Sequence, residues 1–447
     1  MKKLKHYYIE TYGCQMNVSD SEIVASILTD AGYHQSADPL NADVLLINTC
    51  SIRENAEDRV RKRLMYFRSL KKKRPGLMIG LLGCMADRLQ TALIEEEQLP
   101  DLVAGPDSYR HLPLLLEQVE TGQKAIDTIL SADETYAGIT PVRYDSNGIS
   151  AYISIMRGCE NFCSYCVVPY TRGQERSRDA ASILREAGEL FGQGYREVTL
   201  LGQNVNSYCH KQGTEVTDFT GLLEQVALIS PLLRVRFATS HPKDIPDRLL
   251  ETMARHENIC HAVHLPVQSG SNRVLDRMNR KYTRERYMDR ISAIRNILPG
   301  CAISTDIITG FCDETEEDHQ QTLSLMEWVP FDFAYMFRYS ERPFTLAADT
   351  LKDNVPTGIK ERRLKEIIDL QQRLSLESNR KDIGKTFTLL VEGRSKRSEN
   401  QLSGRTSGNK MVVFPKNNEK PGDYVNVKII SVTAATLIGE AVRIREV

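Results

Sequence analysis

The sequence predicts an α/β protein in three parts: an N-terminal open parallel α/β sheet domain, a central partial (βα)6 barrel and a small C-terminal antiparallel β-barrel. Three observations carry this. Short apolar runs alternate with helix signals from Tyr7 to residue 119, and repeated βαβ units build parallel sheets with helices on their faces. From residue 150 the alternation resumes on a longer beat, with six strand candidates. After Gly384 the pattern changes to short β-rich runs between turn residues.

In order, Tyr7–Thr11 reads as the first strand. Ser19, Asp20 and Ser21 offer N-caps for a helix through Ile23–Leu28, which Gly32 ends. Val44–Ile47 is the second strand. A helix from about Arg53 to Lys73 follows, and Lys71, Lys72, Lys73 and Arg74 suit the negative end of its dipole. Leu77–Leu82 is the third strand; Leu102–Ala104 and a helix near 108–119 complete a domain placed at residues 4–122. Residues 131–148, rich in Ser, Asp, Gly and Tyr, read as a linker or irregular crossover.

The central domain, placed at residues 145–375, offers strands at Tyr152–Met156, Glu197–Leu201, Arg234–Ala238, Ala262–Leu265, Ile303–Ile308 and Phe333–Phe337. Each gap is long enough for a helix, as a partial (βα) barrel requires, and the site of such a barrel lies at the strand C-terminal ends. A charged helical stretch, Ile359–Asn379, leads into the last domain, residues 378–443. Its strands are expected at Thr386–Val391, Gln401–Arg405, Met411–Phe414, Tyr424–Ile430 and Leu437–Ile444, a small barrel. Residues 380–447 carry 13 Lys and Arg against 7 Asp and Glu. That local excess suits RNA, with Lys396 and Arg397 as candidate phosphate contacts. The Lys71–Arg74 run reads instead as a solvated helix end.

Over the whole chain of 447 residues, 58 basic residues meet 59 acidic ones, which excludes a globally basic nucleic-acid binder. Apolar residues at 41% and charged residues at 26% exclude whole-chain disorder. No apolar stretch follows the charged start, and the longest nearly apolar segment, Gly76–Ala86, is far short of the roughly 20 residues that cross a bilayer. The expected location is the cytoplasm, with no membrane partner. There, ten cysteines point to metal binding or catalysis rather than disulfides.

Cys159, Cys163 and Cys166 form C-x3-C-x2-C directly after the first barrel strand. Three thiolates on one loop can hold three irons of a cubane cluster and leave the fourth open to a cofactor or substrate. A closed structural zinc site needs four ligands, and the nearest further candidates, Cys209 and His210, lie far along the chain. Cys14, Cys50 and Cys84 follow the first, second and third N-terminal strands. In a parallel sheet those ends share one edge, where ligands gather. The glycines before Cys14 and Cys84 read as room for a bulky cofactor. Each cysteine alone could be an ordinary buried residue; three successive strand ends favour a second three-cysteine cluster. Gly202, Gln203, Asn204, His241, Gln268 and Asp306 also fall at or near barrel strand ends. Cys209, Cys260, Cys301 and Cys312 show no ligand spacing.

C-x3-C-x2-C after a first barrel strand resembles the radical S-adenosylmethionine (SAM) superfamily. Thr11-Tyr12-Gly13-Cys14-Gln15-Met16-Asn17 with Asp20-Ser21-Glu22, Arg157–Cys163, Arg172-Gly173 with Glu175 and Arg178, and Leu201–Tyr208 narrow it. Together with a last domain similar to TRAM, they resemble the MiaB-type tRNA branch of the radical SAM methylthiotransferases over essentially the whole chain. The ribosomal-protein branch carries Pro-Lys in place of Gln15-Met16.

The resemblance implies two 4Fe-4S clusters and two SAM molecules. One SAM methylates a sulfur held at the Cys14/Cys50/Cys84 cluster. The other, at the Cys159/Cys163/Cys166 cluster, yields a 5′-deoxyadenosyl radical. That radical removes the hydrogen at C2 of N6-isopentenyladenosine, 3′ to the tRNA anticodon, and the methylthio group is transferred there. The six cysteines are then both metal ligands and catalytic groups. Tyr165 is expected near the SAM adenine, and Gly202, Gln203, Asn204, His241 and Gln268 around the rest of SAM. Arg172 and Arg178 are expected on SAM, RNA phosphate or a carboxylate. Implied partners are the tRNA anticodon stem-loop carrying the isopentenylated adenosine and a one-electron reductant, and a monomer is expected. The competing readings are methylthiolation of threonylcarbamoyladenosine in tRNA or of a ribosomal protein, and a non-catalytic, zinc-stabilised RNA-binding protein. Two positions depart from the family pattern: Phe344 stands where Gly is usual, so a different turn is expected there, and Cys312-Asp313 replace Pro-Gly.

Overall fold

A computed structural model describes residues 4–50, 54–143 and 147–442. The expected helix start at Arg53, residues 144–146 of the expected linker, the domain bounds 145 and 443 and the strand end at Ile444 lie outside the described residues. The chain forms two compact units, one from residues 4–143, 154–162 and 166–182, the other from 147–153, 163–165 and 183–442.

The first unit is built on six parallel strands: β1 (Lys5–Tyr12), β2 (Tyr33–Gln35), β3 (Val44–Thr49), β4 (Met78–Gly83), β5 (Leu102–Ala104) and β6 (Ala125–Asp127). Their order is β2-β1-β3-β4-β5-β6. The three-residue edge strands β2 and β6 were not expected, being too short to show a period. Strand β3 is buried along its length. Val44 and Leu46 join Tyr7, Val24 and Leu116 on one face, while Leu45 and Ile47 join Val60, Leu64 and Phe67 on the other. A strand covered on both faces reads as one continuous apolar run.

The first helix differs from expectation. It spans Gln15–Asp30 with Cys14 at its N-cap, and the Cys14 amide donates to Asn17 Oδ1 at 3.3 Å. Ser19, Asp20 and Ser21 are therefore not caps but buried residues inside the helix. Ser21 Oγ bonds Thr11 Oγ1 at 2.8 Å and accepts from Asn48 Nδ2 at 2.9 Å, and Asp20 meets two arginines. Residues 131–143 are irregular, as expected of a linker, yet they pack on this unit. The buried Tyr136 donates its hydroxyl to Pro106 O at 2.9 Å and stacks on Tyr109.

Strand β7 (Ser150–Ser154) opens the second unit. The chain returns to the first unit for the two-residue β8 (Met156–Arg157), paired antiparallel with β9 (Arg176–Ser177). The second unit continues with β10 (Glu197–Leu201), an unexpected hairpin β11 (Cys209–Gln212) and β12 (Glu215–Asp218), then β13 (Arg234–Ala238), β14 (Ala262–His264), β15 (Ala302–Thr309) and β16 (Phe333–Arg338). Ladders β7-β10-β13 and β14-β15-β16 are joined where Cys260 N donates to Val235 O (2.9 Å) and Ser240 N to His264 O (3.2 Å). Six strands thus follow in chain order with helices between them, the expected partial barrel.

The last strands, β17 (Thr386–Ser395), β18 (Ser398–Arg405), β19 (Met411–Pro415), β20 (Tyr424–Val432) and β21 (Leu437–Ala441), close a barrel in the order β17-β18-β19-β21-β20. It is not wholly antiparallel: β19 and β21 run parallel. Five strands in a ring cannot all alternate in direction, so one parallel pair is unavoidable. This barrel docks at the strand N-terminal ends of the larger one. Arg234 Nη1 donates to Arg405 O, Arg236 Nη2 to Thr406 O and His261 N to Ser407 Oγ, each at 2.8 Å.

Both departures from the family pattern adopt left-handed backbone, Phe344 at φ 67° and Asp313 at φ 59°. The expected change of turn at Phe344 is absent; the chain accepts the strain instead. Asp313 offsets its own strain by pairing with Arg277 and accepting from Asn354, whereas Phe344 is exposed. Phe344→Gly is therefore expected to stabilise the protein by about 1 kcal/mol, the left-handed cost less the added chain entropy. A higher urea midpoint at unchanged slope is the check. Among the described residues no helix is long and apolar enough to cross a membrane.

Candidate iron–sulfur and SAM site

In the first unit, Cys14, Cys50 and Cys84 follow β1, β3 and β4, three adjacent parallel strands. The order reverses between β1 and β3, the crevice where open α/β sheets bind ligands. Cys14 is exposed, and Cys50 and Cys84 are buried. The Cys14 thiol is pulled down to about 6 by its hydrogen bond with Cys50 and by the nearby Arg172 guanidinium. Burial pushes the Cys84 thiol up, with Arg172 opposing.

Gly13 and Gly83 have a different purpose from the one expected. A Cβ on Gly83 would fall 2.5 Å from Asn48 Oδ1 and Thr49 O, and one on Gly13 would fall 2.4 Å from Asn17 Oδ1 and 2.8 Å from Cys50 Cβ. The glycines let neighbouring strand-end turns close on one another, which draws the cysteines together.

Beneath these thiols lies a buried charge network that the sequence did not reveal. Arg172 Nε donates to Cys84 Sγ at 3.2 Å and its Nη2 to Asp20 Oδ2 at 2.7 Å. Arg157 Nη2 stands 2.8 Å from Asp20 Oδ1, an ionic contact without hydrogen-bond alignment, and donates to Pro106 O. Its guanidinium lies over the Tyr136 ring. Arg176 pairs with both oxygens of Asp107. Three guanidinium groups against two carboxylates leave a positive charge beside the thiols. That charge favours thiolate, the form that ligates metal. Arg172 thus takes the carboxylate option among those expected, and the buried Arg178 donates to Ser182 Oγ at 2.8 Å. Lys71 and Arg74 are also spent internally, on Asp101 Oδ2 (2.6 Å) and on Leu40 O (2.7 Å).

On the C-x3-C-x2-C loop, the Cys159 amide donates to Gly173 O at 3.1 Å, and Asn161 Nδ2 lies 3.4 Å from Cys159 Sγ. Within the second unit, Arg280 Nη1 donates to Cys163 Sγ at 3.2 Å and to Tyr165 Oη at 3.4 Å. Its Nη2 donates to Pro266 O at 2.7 Å. Each cysteine set thus contains one sulfur that accepts from a buried arginine. Tyr165 packs against an apolar cluster that includes Met278, Phe311 and Cys312. Among the described residues no three His, Cys, Asp or Glu side chains are grouped closely enough to hold a metal ion. The donor sets are thiols backed by guanidinium, which suits an anionic thiolate-bound cluster.

The strand ends of the partial barrel leave polar atoms unmatched. Gln203 Oε1, Asn204 Oδ1, Ser240 Oγ and His241 Nε2 are buried without partners among the described residues. Buried polar groups are normally satisfied, so these four suit a polar ligand such as SAM. Asn204 Nδ2 is fixed on Asp244 Oδ2 at 2.7 Å. Gln268, buried at φ 74°, links to β15 through Asp306 O and the Ile308 amide. Gly202 directly follows β10. His241 Nδ1 accepts from the Lys243 amide at 3.3 Å, so the ring proton sits on Nε2.

Burial and then Arg280 push the His241 imidazole down to about 2 from 6.5. It stays neutral in the fold but charges in the unfolded chain below pH 6.5. Its contribution is therefore complete above that pH. As pH falls from about 6.5 towards 2, it is lost at about 1.4 kcal/mol per unit. Relative to His241→Asn, the wild type is expected to lose about 2 kcal/mol between pH 8 and pH 5. Urea midpoints of both proteins at the two pH values are the check. Lys396 and Arg397 are exposed at the β17–β18 turn, open to phosphate.

Three family models match the chain: the uncharacterized protein family UPF0004 over residues 6–105, the radical SAM superfamily over 153–326 and the TRAM domain over 380–442. A tRNA-2-methylthio-N(6)-dimethylallyladenosine synthase of Amoebophilus asiaticus is 57% identical, over 98% of this chain and 92% of the relative. The protein of the same name from Chloroherpeton thalassium is 54% identical, over 97% and 95%. Among solved structures, the radical SAM methyltransferase TsrM from Kitasatospora setae, with cobalamin and a [4Fe-4S] cluster bound, aligns with a TM-score of 0.57 at 13% identity, over 77% of this chain and 74% of that one. The cobalamin-dependent SAM radical enzyme OxsB gives 0.53 at 12% identity, over 83% and 56%. Those two show a shared fold.

Proposed function

Because the chain belongs to the tRNA-2-methylthio-N(6)-dimethylallyladenosine synthase family of radical SAM proteins, we propose that it adds a methylthio group to C2 of N6-isopentenyladenosine beside the tRNA anticodon, using two 4Fe-4S clusters and two SAM molecules. The observation that carries this reading is the placing of Cys14, Cys50 and Cys84 at one edge of a parallel sheet, with Cys14 bonded to Cys50 and Arg172 beside Cys14 and Cys84. A radical SAM core alone would need only Cys159, Cys163 and Cys166. We assign the methylthio-carrying domain to residues 4–122, the radical core to 145–375 and RNA contact to 378–443.

When bound, the clusters and SAM supply the one-electron cleavage and the transferred sulfur and methyl, chemistry that side chains cannot provide. The chain's own residues bind and orient. The six cysteines ligate as thiolates, and Arg172 and Arg280 stabilise them by N–H···S donation. Gln203, Ser240 and the Nε2–H of His241 offer matched partners to SAM's polar groups, and Gly202, Asn204 and Gln268 shape the same strand ends. Tyr165 flanks the adenine. Lys396 and Arg397 take RNA phosphates. The protein works as a monomer with a one-electron reductant, and a thiolate-bound cluster suits the reducing cytoplasm. The relatives' names give neither threonylcarbamoyladenosine nor a ribosomal protein.

Nucleoside mass spectrometry of tRNA from a strain lacking the protein tests this. The 2-methylthio nucleoside is expected to vanish while N6-isopentenyladenosine accumulates; an unchanged profile contradicts the assignment.

A further inference from the structure

The inner face of the partial barrel carries an aromatic surface that the reaction above leaves unused. Register pairs His264 with Ser304, Ser304 with Phe333 and Asp306 with Tyr335. Partnered residues of a parallel sheet share a face, so these five side chains stand together. The alternate residues Ile303, Thr305, Ile307 and Ala334 are buried. Tyr287, on the helix Arg284–Ile297, and Thr305 both donate to Leu265 O, and the helix Thr357–Arg380 packs against β16. The helices cover that outer face, and the five side chains line the inner one. Strand β16 is its open edge.

On that edge Phe333 is 51% and Tyr335 48% exposed, with rings edge to face at 4.8 Å. The Tyr335 ring meets the His264 ring at 5.9 Å. His264 is itself fixed, Nδ1 on Ser304 Oγ at 3.0 Å and Nε2 3.4 Å from Asp306 Oδ1. Single exposed apolar residues are ordinary; an anchored run of three rings with a carboxylate beside it is a built surface.

Two observations identify its occupant. Exposed aromatic rings with an adjacent hydrogen-bond acceptor take unpaired nucleobases, whose faces stack on them and whose amino groups donate. The surface also starts where the small basic barrel docks: Lys410 of that barrel lies 3.4 Å from Asp332 Oδ1, the residue before Phe333. From there β16 runs towards the strand C-terminal ends, where the unmatched SAM-side atoms lie. An RNA that contacts the small barrel and reaches those strand ends would run along this edge. Resting on the tRNA reading above, we propose that Phe333, Tyr335 and His264 form a stacking platform for an unpaired base of the RNA loop flanking the modified adenosine.

The test is binding of a fluorescently labelled RNA anticodon stem-loop to the full-length holoprotein, followed by anisotropy. The double variant Phe333→Ala/Tyr335→Ala is expected to bind about 5- to 150-fold more weakly, the loss of one stacked base. The aromatic exchange Phe333→Tyr/Tyr335→Phe is expected to bind as wild type, and the salt dependence is expected to hold its slope, because no phosphate contact is lost. In a scan of abasic sites through the loop, one position should weaken wild type by the same factor and the double alanine variant not at all. Wild-type affinity in the alanine variant, a loss that the aromatic exchange shares, or a scan without such a position overturns the platform alone. Failure of the wild type to bind the RNA overturns the tRNA reading and the platform with it.

Discussion

Asp20→Ala is expected to destabilise the first unit by about 3–5 kcal/mol, the cost of leaving buried charge unpaired. Asp20 is fully buried between Arg157 and Arg172, with Nη2 atoms at 2.8 and 2.7 Å. Both arginines are buried too, so neither can turn to water when the carboxylate goes. Arg172 is further held by Cys84. The variant leaves Arg172 without its carboxylate partner and Arg157 with only the more distant Asp107, at 3.7 Å. Asp20→Asn keeps an acceptor and loses the charge, so a smaller loss is expected. Hydrogen exchange of the β1, β3 and β4 amides in the full-length protein reads the effect on this unit directly. A loss below 1 kcal/mol contradicts the network.

Replacing Cys14, Cys50 and Cys84 together by Ala is expected to abolish methylthio transfer while SAM is still cleaved to 5′-deoxyadenosine. The Cys159, Cys163 and Cys166 loop keeps its ligands in that variant. The reciprocal variant, with those three changed to Ala, is expected to lose both activities, because no radical forms. Each is read by quantifying 5′-deoxyadenosine and methylthiolated RNA in one reaction. Methylthio transfer surviving in the first variant contradicts the role given to the strand-end cysteines.

Much of the fold was legible because buried parallel strands leave an uninterrupted apolar signature; β3 and β4 lie on the runs Val44–Ile47 and Leu77–Leu82. Strands β2 and β6 were not, since three residues carry no pattern. The start of the first helix was misread because Ser19, Asp20 and Ser21 are cap-forming residue types whose side chains are used for buried contacts, while Cys14 holds the N-cap position. In the site, the cysteines were legible because spacing and strand ends are local features. Their charged support was not: Arg172 lies 152 residues from Asp20, and Arg280 lies 117 from Cys163. No local pattern couples residues so far apart. Phe344 shows the opposite limit, since a departure visible in sequence did not change the turn.

The most direct test of the whole account is the iron and acid-labile sulfide content of the anaerobically purified full-length protein, with its Mössbauer spectrum. About eight irons per chain in cubane form are expected, falling to about four when Cys14, Cys50 and Cys84 are replaced. About four irons in the wild type, or zinc in stoichiometric amount, contradicts it.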